Sequence, residues 1–225
     1  MDTANDFRLS VAEDAVARLE RRIRQWGMPW PVNKSKALGL VERARKALLR
    51  LKYSFLPSEM ILESGELKAI ADSAAQLRRL LFPEVMPKLE GSRRMALAEI
   101  RYSLSILLGL PARIRLGDDN HPEWAVDVVG VKVTRVEELR GASNLRYTRA
   151  TAGSAAFTIV TNLVGIREGE VRAAAILPPV EFHGVISEAM YASEPLDERY
   201  VGKRVPRRLL SPEVKAQVIR LVSGK

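Results

Sequence analysis

Residues 176–190, Ile-Leu-Pro-Pro-Val-Glu-Phe-His-Gly-Val-Ile-Ser-Glu-Ala-Met, restrict this chain more than any other stretch. An apolar run meets two prolines, and a glycine follows shortly after. Proline fixes φ and has no N–H for a ladder, so Pro178 and Pro179 are expected to end a strand. Gly184 then permits a tight turn that sends the backbone back through Val185, Ile186 and Ser187 to the core-type Met190. The segment reads as the closing hairpin of a small β-barrel.

From Trp124 onward the pattern suits the rest of such a barrel. Runs of Val, Ile, Thr and Ala are broken by Gly, Asn and Ser at the spacing of a small all-β barrel. Upstream the period changes to that of helices. Ser10 and Glu13 form a capping box ahead of Val16, Leu19, Ile23 and Trp26, and this helix is expected to end near Gly27. A second helix is predicted over 34–56 on the stripe Ala37, Val41, Ala44, Leu48, Leu51 and Phe55. Third and fourth helices are predicted over 66–82 and 92–108, bounded by Pro83, Pro87, Gly91 and Gly109. Residues 117–123 read as a polar linker, and Ser211-Pro212-Glu213 as the start of a last helix.

The expected fold class is therefore α+β multidomain. An N-terminal antiparallel helical bundle (1–118) precedes a small β-barrel (119–200), followed by a basic turn and short C-terminal helix (201–225).

Functional classes narrow quickly. With no cysteine and only two histidines, thiolate chemistry and cysteine-based zinc sites are excluded. No Gly-x-Ser-x-Gly elbow, P-loop, dinucleotide fingerprint or His-Glu-x-x-His helix occurs, so no catalytic residue, metal or cofactor is expected. Asp118, Asp119, His121 and Glu123 are read as linker residues rather than cation ligands. No apolar run reaches membrane-spanning length, and the acidic, polar N-terminus is unlike a secretory signal; a cytoplasmic protein is expected. Five Asn and three Gln beside many arginines lean towards a thermophile.

The net charge of +9 favours a polyanionic partner. Residues 1–120 hold 21 Lys/Arg against 15 Asp/Glu, a larger surplus than the second half. Arg21, Arg22, Arg24, Arg43, Arg45, Lys46, Arg50 and Lys52 could line a phosphate backbone or form a solvated face bridged to Glu20 and Glu42. Lys203, Arg204, Arg207 and Arg208 crowd together without an interleaved acid, which suits either anion contact or solubility. On the barrel, Arg135, Arg146, Tyr147, Arg149 and Arg172 match an OB-fold face that combines cations with a stacking platform.

The closing hairpin resembles the tRNA-binding domain of EMAP-like proteins and of some methionyl-tRNA synthetases. That family carries Leu-x-Pro-x-x-x-x-Gly-x-x-Ser-x-Gly-Met, matched here by Leu177, Pro179, Gly184, Ser187 and Met190. The resemblance spans about 124–195 and implies that the barrel (119–200) is a five-stranded OB-fold, with residues 127–136, 144–147, 157–161 and 166–175 in the places of the family's earlier strands. It extends to a helical-plus-barrel layout seen in archaeal predicted RNA-binding proteins. It implies a non-catalytic RNA-binding protein whose partner is RNA, tRNA foremost, with Ser187 and Met190 among the contacts. It also implies the alternative of a protein-interaction module, since the family includes homodimers and synthetase-associated members. The chain departs from the family pattern at Asn144, Ile176, Glu181, His183 and Ala189, so flanking arginines would have to replace several phosphate contacts.

Overall fold

The computed structural model describes residues 1–224. They form two compact units, Met1–Ala125 with the chain from Val218 onward, and Val126–Gln217.

The first unit holds α1 (Phe7–Arg24), α2 (Lys34–Lys52), α3 (Ser58–Glu63), α4 (Gly65–Leu81) and α5 (Ser92–Ile114). The packing neighbours are α1–α2, α2–α4, α4–α5 and α5–α1, which closes four long helices around one core. Its stripes are those of the sequence: Val16, Leu19 and Ile23 on α1, and Ala37, Val41, Ala44, Leu48 and Leu51 on α2, are all buried.

The ends differ from expectation. α1 starts three residues before Ser10, because the Asp6 carboxylate accepts the N–H groups of Arg8 and Leu9. Phe55 is not part of the α2 stripe. The helix stops at Lys52, and Phe55 sits at φ 53° with its ring exposed. That turn is anchored: Thr3 Oγ1 donates to the Lys52 carbonyl (2.9 Å) and accepts the Phe55 N–H (3.0 Å).

α5 overruns both Gly109 and Pro111. Leu110, Arg113 and Ile114 are fully buried beyond the expected stop. Their burial outweighs one lost N–H in the last turns. At 23 residues α5 is long and apolar enough, by length and composition, to cross a membrane, contrary to the run-length reading. Here one side of it packs on α1 and α4.

Residues 117–123 are not a free linker. Arg8, fully buried, donates to the carbonyls of Gly117 (2.7 Å) and Asp119 (3.3 Å) and pairs with Asp6 at 2.8 Å. Asn120 accepts the Phe7 N–H and donates to the Asn5 carbonyl, both at 2.9 Å. Asp118 accepts the Ser58 N–H at 2.7 Å. The polar residues that looked solvated are thus the partners of a buried arginine and of the first turns of α1 and α3.

The second unit is a five-stranded antiparallel sheet: β1 (Val128–Glu138), β2 (Arg146–Ala152), β3 (Ala155–Thr161), β4 (Val171–Phe182) and β5 (Val185–Tyr191). Its order is β3-β2-β1-β4-β5, consistent with an OB-like fold. The sheet is open between its edge strands, and side chains join them instead. The Val160 N–H donates to Ser187 Oγ (3.0 Å) and the Thr158 N–H to the Glu188 carboxylate (3.2 Å). Val131, Val133, Ala150, Ile159, Ala174, Ala189 and Tyr191 fill the interior. A short last helix, α6 (Pro212–Ser223), buries Val214 and Val218.

Pro178 and Pro179 do not end β4. The strand continues to Phe182, and its pairing with β5 slips between Ile176 and Val180. A register break is where a ladder can spare donors, so the prolines sit at the irregularity rather than at a terminus. The turn itself uses His183 (φ 47°) and Gly184 (φ 80°), two successive left-handed residues suited to a tight hairpin.

Candidate nucleic-acid interface

Strand parity sorts the candidate residues. Thr148 and Ala150 are fully buried, so Tyr147 and Arg149 lie on the opposite, outer face of β2. On β1 a register shift between Val133 and Arg135 keeps Val136 against the core and leaves Arg135 outside. Arg135 stands directly across from Arg149, and Glu137 across from Tyr147. On β3, Thr158 opposes Arg149 and Val160 opposes Tyr147. Lys132, across from Thr151, extends the same row.

The row is partly neutralised. Arg135 pairs with Glu137 (2.8 Å) and Lys132 with Glu198 (2.7 Å). Arg146 is not part of the row: at the start of β2 it has the parity of Thr148, on the opposite face, and it pairs with Glu138 (3.3 Å). Arg149 forms no ion pair among the described residues and is exposed. Two guanidinium groups beside a tyrosine on one exposed face can bind phosphate and stack a base.

Three further candidates are placed elsewhere. Arg172 lies opposite the interior Val131, and its side chain is only 9% exposed. It reaches the Glu170 carboxylate (2.8 Å) and the Ser193 carbonyl (3.0 Å) rather than the outer face. Ser187 is buried. Its hydroxyl accepts the Val160 N–H and donates to the Ala189 carbonyl (3.0 Å), so it pins the two edge strands. Met190 is half-buried on β5 and lines a cleft of about 720 Å³ beside β3.

The basic segment is held on β1. Val129 bridges Arg204, Val205 N–H donates to the Val128 carbonyl, and Gly130 exchanges bonds with Lys203 and Gly202. Gly130 is obligatory there, since a Cβ would lie 2.1 Å from the Tyr200 carbonyl oxygen. Arg204 approaches Asp127 at 3.9 Å, while Lys203, Arg207 and Arg208 are exposed. These cations therefore flank one end of the strand that carries Arg135.

The helical cations are largely engaged by acids. Arg18, Arg21 and Arg22 converge on the buried Glu99. Arg24 and Arg45 hold Glu20, and these two bonds, Arg24 first, keep its carboxyl below the ordinary range. Lys46 faces Glu42 (3.7 Å), Arg50 Glu66 (3.2 Å) and Lys52 Glu13 (2.7 Å). Arg43, Arg78, Arg79 and Arg93 are exposed on the same unit. No group of three or more His, Asp or Glu among the described residues is placed to hold a metal ion.

Two features escaped the sequence reading. Lys132 belongs to the outer row, which strict alternation from Val131 and Val133 would have shown. The cleft beside β3 is assembled from residues far apart in the chain, including Asn144, Asn162, Arg172 and Glu213, and no local pattern announces it.

Comparison with known proteins gives a family for the first unit. No curated protein matches the chain. Among solved structures, a crystal structure of a MetRS related protein from Pyrococcus horikoshii is similar at 24% identity with a TM-score of 0.35, covering 40% of this chain and 97% of that one. Residues 1–117, more than half of the 225, match the model of the alpha helical domain family. The chain belongs to the alpha helical domain family.

Proposed function

We propose that this chain is a non-catalytic RNA-binding protein that holds structured RNA, with tRNA as the leading candidate. The contacts are the outer face of β1–β3 and the Lys203–Arg208 segment. The observation that carries this reading is the placement of Arg135 opposite Arg149, with Tyr147 next to them on the same exposed face. Such a face attracts the ribose-phosphate chain by charge and counterion release and offers one aromatic ring to a base. The resemblance of the closing hairpin to EMAP-like tRNA-binding domains supports it. The mode differs, because Ser187 is committed to the fold and the cations come from β1, β2 and residues 203–208.

Filter binding of unfractionated tRNA over a salt series tests the proposal. Kd is expected to weaken steeply with salt, and absence of binding at low salt ends the reading.

A second reading, a docking or dimerisation module associated with a synthetase assembly, is favoured by exposed apolar side chains. Leu49, Tyr53, Phe55 and Met60 are each more than half exposed near the α2–α3 turn, and Val180 is 51% exposed on β4. Light scattering, with pull-downs before and after nuclease, separates the two: partners that survive nuclease favour docking.

A further inference from the structure

The cleft beside β3 holds chemistry that the outer face does not use. Its volume of about 720 Å³ lies within the range of small-molecule sites, roughly 300–1,000 Å³. One wall is apolar, built from Leu145, Leu163, Phe182 and Met190. Arg172 is set among these groups with nine-tenths of its side chain buried. Its Nε is committed to Glu170 and its Nη1 to the Ser193 carbonyl, but its Nη2 has no hydrogen-bond partner among the described residues. That nitrogen keeps solvent access, and because Arg172 lines the cleft it is available to an acceptor on a ligand. Asn144, Asn162, Glu194 and Glu213 also line it, the Glu213 carboxylate with a bond from Ser211.

These groups discriminate between the parts of a nucleotide. A phosphate entering the cleft meets two rim carboxylates and is repelled. A planar base gains from the apolar wall, accepts from Arg172 and pairs through its edge with amides that both donate and accept. The cleft also adjoins the outer face, because Val160 lines it and stands directly across from Tyr147. We propose that the cleft receives one unstacked nucleobase while the ribose-phosphate chain passes outside it over Tyr147 and Arg149. This rests on the RNA-binding reading above and specifies where a base is taken.

The test uses the full chain with methyl-labelled leucine and methionine, followed by NMR. Each of the four nucleoside 5′-monophosphates is titrated, with inorganic phosphate as the control. At least one nucleotide is expected to shift the Leu145, Leu163 and Met190 methyls, and phosphate is not. Asn162→Trp, on the exposed rim, and Asn144→Trp, on the rim as well, are expected to abolish those shifts. Both should weaken tRNA binding on the order of tenfold with the salt slope unchanged. The proposal is overturned if no nucleotide shifts the methyls, if phosphate shifts them equally, or if both blocked variants bind tRNA as tightly as the unaltered protein. A protein that binds tRNA without a base in the cleft sinks this proposal alone. A protein that takes nucleotides but no tRNA keeps the cleft as a nucleobase site and sinks the RNA reading.

Discussion

Single residues account for the sharpest constraints. Gly130 has ordinary strand geometry, yet a methyl group there would meet the Tyr200 carbonyl oxygen at 2.1 Å. Gly130→Ala is expected to destabilise by about 1–3 kcal/mol, as overpacking does, and to loosen residues 200–205. Thermal denaturation and limited proteolysis at Lys203 and Arg204 would show both effects. Ser187 is a residue whose meaning changed with the fold. Its place in the hairpin motif was legible, but its bond from the Val160 N–H depends on β3 lying beside β5. Ser187→Ala leaves a buried N–H unpaired and is expected to cost about 1–3 kcal/mol in denaturant unfolding. Tyr191 is coupled to pH in the same interior. Burial pushes its phenol above the ordinary value, against the opposing bond to Thr148. A raised pKa means the unfolded chain ionises first, so this contribution to stability is intact below about pH 10 and is lost as pH rises beyond it. Tyr191→Phe is expected to flatten that alkaline loss in a pH series of unfolding curves.

Elements show which local signals survive packing. Helical stripes on α1 and α2 were readable because burial repeats at the helix period. The stop at Gly109 was not, since Leu110, Arg113 and Ile114 are buried and carry α5 onward. The β4 prolines misled for a related reason. A strand may pass through proline where its partner slips register, and that slip is a property of the β4–β5 pair. Between α1 and α5, Glu99 gathers three arginines while 7% exposed. Arg18 keeps Asp14 as a partner, and the arginines are partly exposed, so Glu99→Gln is expected to cost about 1–3 kcal/mol, measured by urea unfolding. On the sheet, Arg135→Ala and Arg149→Ala should each reduce the log–log salt slope of tRNA binding by about 0.7–0.9. A slope unchanged in both variants would remove the outer face from the interface.

At the scale of the whole molecule, charge and acidity act together. The net charge of +9 supports association with a polyanion over distance. Three weakly buried acids add to stability above the acid range. Bonds from Arg24 and Arg45 to Glu20, from Ser58 to Asp118, and from Ser211 to Glu213 hold these carboxyls below their ordinary values. A lowered folded pKa gives stability that is present above the unfolded value, near pH 4, and that disappears as pH falls through the folded one. Circular dichroism on acid titration is therefore expected to show unfolding beginning below about pH 4.

What the residues by themselves determined was the succession of elements: helical periodicity before Trp124, strand-like runs after it, and a hairpin around Gly184. Those signals are local, and they depend on spacing within a dozen residues. Only the tertiary structure decided which arginines share a face, why Arg172 turns inward while Arg135 and Arg149 do not, and that Asn144, Asn162 and Arg172 meet around one cleft. The physical reason is that register, a bulge and the meeting of edge strands are pair properties. A single strand read alone fixes the alternation of its side chains but not which set is turned towards the core.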